Sequence, residues 1–307
     1  MRPMIPQLNS SPEFKAYYKR RIKQSPWTIA RKKFTRNTIA MSSFVIFILI
    51  VGISIFAEPL SMPLTDTEEI HLEQISQAPS SQFILGTDQS GREVWPRLLH
   101  AGHTSLNIAF SITLIAVTIG TVVGAIAGYY GGIVDYLLMR FTDFVMVFPF
   151  IVLVIVVKSI FVNTGIGTFI LVVSLLSWTG TARVVRSKVM AEKENEYVMS
   201  AISIGCGPLQ VIMKHILPNI FSTIIVKATL LLATMIVAET GLSYLGFGVP
   251  MNIPTWGNMV QEARSPDVLA NKWWIWMPPA MMLTITILCI NFIGEGLKDA
   301  FNPKSNK

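Results

Sequence analysis

TIAMSSFVIFILIVGISIFA, from Thr38 to Ala57, runs for about twenty residues without a charge. A helix rises about 1.5 Å per residue, so roughly 20 apolar residues cover the ~30 Å of hydrocarbon in a bilayer. Five more stretches repeat the pattern: Ser105 to Tyr130, Ile133 to Phe161, Thr164 to Ala182, Ile216 to Ala238 and Trp273 to Gly294. Across 307 residues, 51% are hydrophobic and 14% charged. Soluble domains carry about 25% charged residues, so most of this surface is expected to face lipid or other apolar helices. The expected fold is all-α: a polytopic membrane protein with about six transmembrane helices.

Charge placement gives the expected orientation. Arg2, Lys15, Lys19, Arg20, Arg21, Lys23, Arg31, Lys32, Lys33 and Arg36 precede the first apolar run, against the single acid Glu13. Arg140, Arg183, Arg186, Lys188, Lys193, Lys214, Lys298, Lys304 and Lys307 fall on the same side, and only Arg92, Arg97, Lys158, Arg264 and Lys272 on the other. The positive-inside rule then puts both termini in the cytoplasm of a multi-pass protein of the bacterial inner membrane. The net charge of +7 is read as this topology signal with anionic lipid contact, not as a nucleic-acid surface, because no groove-reading or stacking machinery surrounds it. The first apolar run is too long, and too far along the chain, for an ordinary cleaved signal peptide.

The expected organisation is a cytoplasmic tail over 1–37, with an amphipathic surface helix from Ser25 to Arg36, and a first span over 38–57. An acidic outer loop follows over 58–104, with Asp66, Glu68, Glu69 and Glu73. Within it, Gly86 to Leu99 has the composition of a short structured element. The core covers 105–295, with a cytoplasmic loop at 183–215 and a proline-bearing outer segment from Gly246 to Lys272, and a second cytoplasmic tail closes the chain over 296–307. Asp135, Arg140 and Asp143 fall in the first turns of the third span, and an i, i+3 pair of Arg140 and Asp143 is expected. Trp273, Trp274 and Trp276 read as an interfacial aromatic belt. Cys206 and Cys289 lie in different compartments of this topology, which argues against a disulfide. His71, His100, His103 and His215 show no metal-site spacing, and neither metal nor cofactor is expected.

The cytoplasmic loop EKENEYVMSAISIGCGPLQVIMKHILP, Glu192 to Pro218, carries the chemistry. Glu194 to Ile204 lack glycine and proline and suit a short helix, which Gly205, Gly207 and Pro208 end. A second helix is expected from near Leu209 into the fifth span, with a kink at Pro218. A short helix between two spans is a lever if a partner grips it and a plain surface connector if none does. Spacing alone leaves both readings open.

This loop resembles the EAA loop of permeases from binding-protein-dependent ABC importers, in which EAA is followed after three residues by glycine and later by a Leu-Pro pair. Met199, Ser200 and Ala201 occupy the EAA positions, with Gly205, Leu217 and Pro218 in register. Met199 for Glu, Ser200 for Ala and His215 for Ile are departures. Further stretches resemble the C-type subunit of the peptide (and nickel) subfamily: LGTDQSGREVWPRLL from Leu85, GYYGGIVDYLLMRFTDFVMVFP from Gly128, WTGTARVVRSKVMAEKENEYV from Trp178, AETGLSYLGFGVP from Ala238, PTWGNM from Pro254 and GEGLKDAFNPK from Gly294. His103 stands where that subfamily usually has arginine. The resemblance implies a type I ABC importer transmembrane domain. It implies a homologous permease partner, two ATP-binding subunits and an extracytoplasmic substrate-binding protein. The expected ATPase-coupling residues are Glu196, Tyr197, Val198, Met199, Ser200, Ala201, Gly205, Cys206, Gly207, Leu217 and Pro218. The implied cargo is oligopeptides or dipeptides, with nickel or metal–chelate complexes as the alternative.

The chain has no GxxxxGK[ST] phosphate loop, so ATP hydrolysis is expected on another subunit and no enzyme activity on this one. A membrane-embedded enzyme would need paired carboxylates or a histidine cluster at membrane depth, and the spans show neither. A sensor with a degenerate permease fold is a third class. Two ionisable residues mark a candidate translocation path. Lys227, in the fifth span, either faces water or a partner or else snorkels to the surface. Glu239, near the outer end, either lines the path or makes a structural hydrogen bond.

Overall fold

The computed structural model describes residues 26–61, 70–160 and 165–302. The N-terminal basic cluster before Pro26, the acids Asp66, Glu68 and Glu69, and Lys304 and Lys307 lie outside these residues. The described chain is helical, and its one β-type pairing is an isolated bridge between Thr87 and Glu93. In chain order the helices are α1 (Pro26–Arg36), α2 (Thr38–Ile55), α3 (Val94–Tyr130), α4 (Gly132–Val147), α5 (Phe150–Ile160), α6 (Ile166–Ser177), α7 (Thr179–Lys193), α8 (Glu196–Ser203), α9 (Pro208–Tyr244), α10 (Trp256–Gln261), α11 (Pro266–Asn271) and α12 (Trp273–Phe301). Four of them, α2, α3, α9 and α12, are each long and apolar enough to cross a bilayer. The α4–α5 and α6–α7 pairs pass the same test as bent units, which makes six crossings if each pair is one span.

Burial runs opposite to that of a water-soluble helix. In α2 the buried residues are Ala40, Ser43, Ile50 and Ser54, while Ile39, Val45, Ile46, Ile48, Leu49 and Ile55 are exposed. Large apolar side chains outside and small or polar ones inside suit a hydrocarbon solvent, where close approach of backbones drives helix association. Asn37 starts α2 by accepting the Ala40 N–H on its side-chain oxygen at 3.1 Å.

Helix α3 is the hub. Gly120, Gly124 and Gly128 recur every fourth residue on the face that meets α7. A Cβ at Gly124 would lie 2.5 Å from the Ala182 carbonyl oxygen, and one at Gly128 would lie 2.7 Å from that of Arg186. These glycines let the two backbones touch. Lys193 at the end of α7 closes the seam by donating to the Tyr129 carbonyl at 2.7 Å. The G-x-x-x-G-x-x-x-G spacing was present in the sequence as the signal for this packing.

Several expected boundaries shift. The second long helix begins at Val94, not Ser105, because Arg97 and His100 are buried in protein, so the helix starts outside its apolar stretch. The third stretch is not one straight helix. Proline disfavours helical backbone in the residue before it, and Phe148, preceding Pro149, is extended (φ −80°, ψ 133°). Helices α4 and α5 therefore meet at 81°. The fourth stretch bends by 42° at Trp178, whose indole donates to the Leu175 carbonyl at 2.9 Å. In a straight helix that carbonyl would serve the Thr179 N–H. A helix spans the expected segment as α1, with Trp27 packed on Phe221 and Phe301, Ala30 buried, and Arg31, Lys32 and Arg36 exposed.

Replacing Gly124 by leucine should force α3 off α7. The expected loss is about 1–3 kcal/mol or more, because the obstacle is backbone. Gly167, with nothing within 4 Å of a built Cβ, is the control. Thermal unfolding in detergent should show a large drop for Gly124→Leu and little change for Gly167→Leu.

Candidate functional site: the connector between α7 and α9

Helix α8 hangs between the ends of α7 and α9. Its buried face is Val198 and Ala201, and Val198 packs with Val189, Val211, Ile212 and Ile216. Beyond Ser203 the chain reverses at Gly205, whose φ of +90° is a left-handed conformation that glycine adopts without strain. The Gly205 N–H bonds the Ile202 carbonyl at 3.0 Å and the Cys206 N–H bonds that of Ala201 at 3.1 Å, which satisfies the helix end. Gly207 then caps the next helix, with Pro208 in its first turn.

Pro218 makes no sharp kink. The chain inserts a π turn at Ile212–Ile216 instead, and α9 continues through it to Tyr244. A proline leaves one carbonyl of the preceding turn without its usual donor, and a π turn accommodates that irregularity. The His215 carbonyl accepts from the Asn219 side-chain amide at 2.7 Å.

The same amide donates to the Tyr197 hydroxyl at 2.9 Å, and that hydroxyl donates to Glu192. Tyr197 thus pins α8 to the end of α7 through Glu192 and to the start of α9 through Asn219. Burial, then the bond to Glu192, pushes the Tyr197 phenol up to about 12. The pin therefore keeps its proton at any physiological pH.

The other face of α8 is open. Glu196, Met199, Ser200, Ile202 and Ile204 are exposed, as are Leu209 and Met213 beyond the turn. Glu194, Glu196, Met199, Ser200, Ser203 and Ile204 line an open depression of about 600 Å³. Of the three EAA positions, Met199 and Ser200 face outward and Ala201 faces in, so both departures change only what a partner would meet. Cys206 is half-buried, Leu217 packs against the apolar cluster below α8, and both cysteines are free thiols.

Sequence reasoning placed Tyr197 in this loop but not its ties to Glu192 and Asn219, which only folding brings together. It also missed the exposed apolar tip at Ile204, Leu209 and Met213, for which the run of large side chains around Gly205 was the available signal.

The expected Arg140–Asp143 pair is not formed. Asp143 bonds Arg183 at 2.5 Å and Asp135 takes Arg186, partly at 2.6 Å, so both acids reach across to α7. Arg140 instead lies over the Tyr136 ring, 5.5 Å from its centre. Guanidinium–carboxylate pairs between helices displace a local pair because the α3–α4 turn lays α4 beside α7.

The two path candidates differ. Glu239 is buried at 1% exposure, accepts from the Ser243 hydroxyl at 2.8 Å, and lies beneath Gly257 of α10. Lys227 is half-buried, and its ammonium lies over Gly180 at the start of α7.

At the opposite end from α8, Asp88 accepts from the Ser90 N–H at 2.7 Å, the Arg92 N–H and Nε at 2.9 Å, and buried Arg97. Glu262 stands 3.8 Å from Arg97 and accepts the Gln89 N–H at 3.2 Å. Burial, then the nearby Asp88 charge, raises Glu262 to about 7. Trp274, expected in an interfacial belt, donates to the Thr87 carbonyl at 3.3 Å and covers Gly86. Among the described residues no three His, Cys, Asp or Glu side chains gather as a metal set.

Comparison with known proteins gives a consistent picture. Residues 120–307 match the family described as binding-protein-dependent transport system inner membrane component. Residues 25–79 match the N-terminal transmembrane domain of oligopeptide transport permease C. The oligopeptide transport system permease protein OppC of Lactococcus lactis subsp. cremoris is 34% identical over 269 residues, covering 87% of this chain and 91% of the relative. OppC of Haemophilus influenzae is 36% identical over 92% of this chain and 89% of its own length. The glutathione transport system permease protein GsiD of Pectobacterium atrosepticum is 33% identical over 92% of each.

Two measurements check the site. Tyr197→Phe should weaken the α8 anchor by roughly 1 kcal/mol, seen as faster amide exchange in α8 with unchanged α3 protection. Glu262 keeps its proton to higher pH when folded, so its contribution to stability is complete below the ordinary carboxylate range and lost as pH rises through about 7. The melting temperature should fall between pH of about 4.5 and 7, and Glu262→Gln should flatten that slope.

Proposed function

Because the chain belongs to the binding-protein-dependent transport system inner membrane components, we propose that it forms one half of the membrane path of an ATP-driven importer of oligopeptides or dipeptides. The observation that carries this reading is α8: a short helix fastened to two spans on one face and bare on the other. The likeness to OppC relatives over nearly the whole chain supports the peptide cargo. The second half is a homologous permease, two ATP-binding subunits dock below the pair with one of them gripping α8, and a substrate-binding protein delivers cargo at the opposite end.

In this mechanism the ATPases hydrolyse ATP and the chain converts their motion into a change of access. Exposed Met199, Ser200, Ile204 and Leu209 make the contact, apolar where a glutamate would have placed charge. Glu196, at the start of α8, supplies the negative group that a helix N-terminus favours. Displacement passes through the Tyr197 pin to α7 and α9 together. Helix α7 then moves with α3 along the glycine seam, and the bend at Trp178 is where α6 and α7 change angle. Both termini and α8 lie on the cytoplasmic side, with the basic face of α1 on anionic headgroups. Glu239 is a structural pin under α10, and Lys227 is the path residue.

The test is peptide uptake by the complex in proteoliposomes. Gly205→Leu forces a side chain into the left-handed conformation, at a cost of about 1–2 kcal/mol, although the space around it is open. Insertion and partner binding should survive, ATP-driven uptake should fall at least tenfold, and ATP hydrolysis should persist uncoupled. Normal uptake would refute the coupling assignment.

A further inference from the structure

Lys227 holds a charge for which the described residues offer no counter-ion. Phe221, which packs on Trp27 of the surface helix α1, lies about 9 Å below it along α9, and the Glu239 layer lies about 18 Å above. The ammonium therefore sits inside the apolar stretch of the span. Asp135 is committed to Arg186, Asp143 to Arg183, Glu192 to Tyr197 and Glu239 to Ser243, while Glu295 and Asp299 of α12 are exposed and form no ion pair with Lys227. Among the described residues Lys227 has no ion pair and no hydrogen bond. Its Nζ would be 3.7 Å from a Cβ at Gly180, and no other atom from outside that stretch of α7 comes within 4 Å of that point among the described residues. The missing side chain leaves space beside the ammonium, two residues from the 42° bend at Trp178.

An unpaired cation at this depth is unfavourable and requires an anion or water. The bend is where the chain can change shape, and a counter-ion that arrives and leaves suits an open site there better than a fixed one. Resting on the peptide-importer reading, the geometry points to Lys227 as a transient station for the C-terminal carboxylate of the peptide in transit, with the Gly180 gap as the space the carboxylate occupies. The α-carboxylate is the one anionic group that every unmodified linear peptide carries, whatever its sequence, so such a contact serves broad cargo.

The test compares free-acid and C-amidated forms of the same peptide, each at a concentration that saturates the binding protein. Uptake is measured with the intact complex in proteoliposomes for wild type, Lys227→Gln and Lys227→Arg. The binding protein is common to all three, so a change in the acid-to-amide ratio belongs to the permease. Wild type should favour the acid by roughly tenfold, the strength of one charge-assisted hydrogen bond. Lys227→Gln should abolish that preference and Lys227→Arg should keep it. Removing a charge from a span does not hinder insertion, and the melting temperature of each variant checks assembly. An unchanged ratio in Lys227→Gln, or no preference in wild type, overturns the proposal. A fall in melting temperature with an unchanged ratio shows that the partner permease supplies the anion instead. Absence of any peptide uptake by wild type overturns the cargo reading itself, and this station with it.

Discussion

The bare-backbone contact between α3 and α7 is the constraint on which the rest of the structure depends. In hydrocarbon, apolar burial gives two helices little reason to associate, so close van der Waals approach must do it. Gly120, Gly124 and Gly128 provide that approach along a little over two turns. Once α7 is fixed there, Arg183 and Arg186 stand opposite Asp143 and Asp135, and α4 is drawn alongside. The end of α7, held by Lys193 on Tyr129, then fixes one support of α8.

The other support of α8 is α9, and its start is irregular for a reason. Pro218 has no N–H to offer the Lys214 carbonyl, a π turn at Ile212–Ile216 takes up the mismatch, and the Asn219 side-chain amide bonds the His215 carbonyl in the same stretch. That side chain is also half of the Tyr197 pin. The result is a connector that is rigid toward its own chain and presents an unsatisfied apolar surface outward, which is the arrangement a lever needs.

Much of this was legible in the sequence because a bilayer is a demanding solvent: six apolar stretches of the right length admit few folds. The ordered motifs, in register with Gly205 and Pro218, located the connector to within two residues. What stayed hidden depended on partners distant in sequence. Arg97 and His100 read as loop residues, yet the start of α3 is buried in protein, with Arg97 answered by Asp88 and Glu262. Pro149 was visible, but averaging over the surrounding apolar residues concealed that it breaks the third stretch in two. Arg140 and Asp143 looked like a local pair, and only the turn at Gly131 and Gly132 shows that the acids of α4 belong to α7. Lys227 and Glu239 were alike as intramembrane charges. Burial under α10 separates the second from the first, and no one-dimensional pattern carries that information.

The central claim is that the bare face of α8 is gripped by an ATP-binding subunit. A photo-cross-linking amino acid at Met199, in native membranes, tests it most directly, with the buried neighbour Val198 as control. The account predicts a covalent adduct between position 199 and a nucleotide-binding subunit, with yield that changes when ATP is added, and none from position 198. An adduct from Met199 to lipid alone, or equal labelling from both positions, would contradict it.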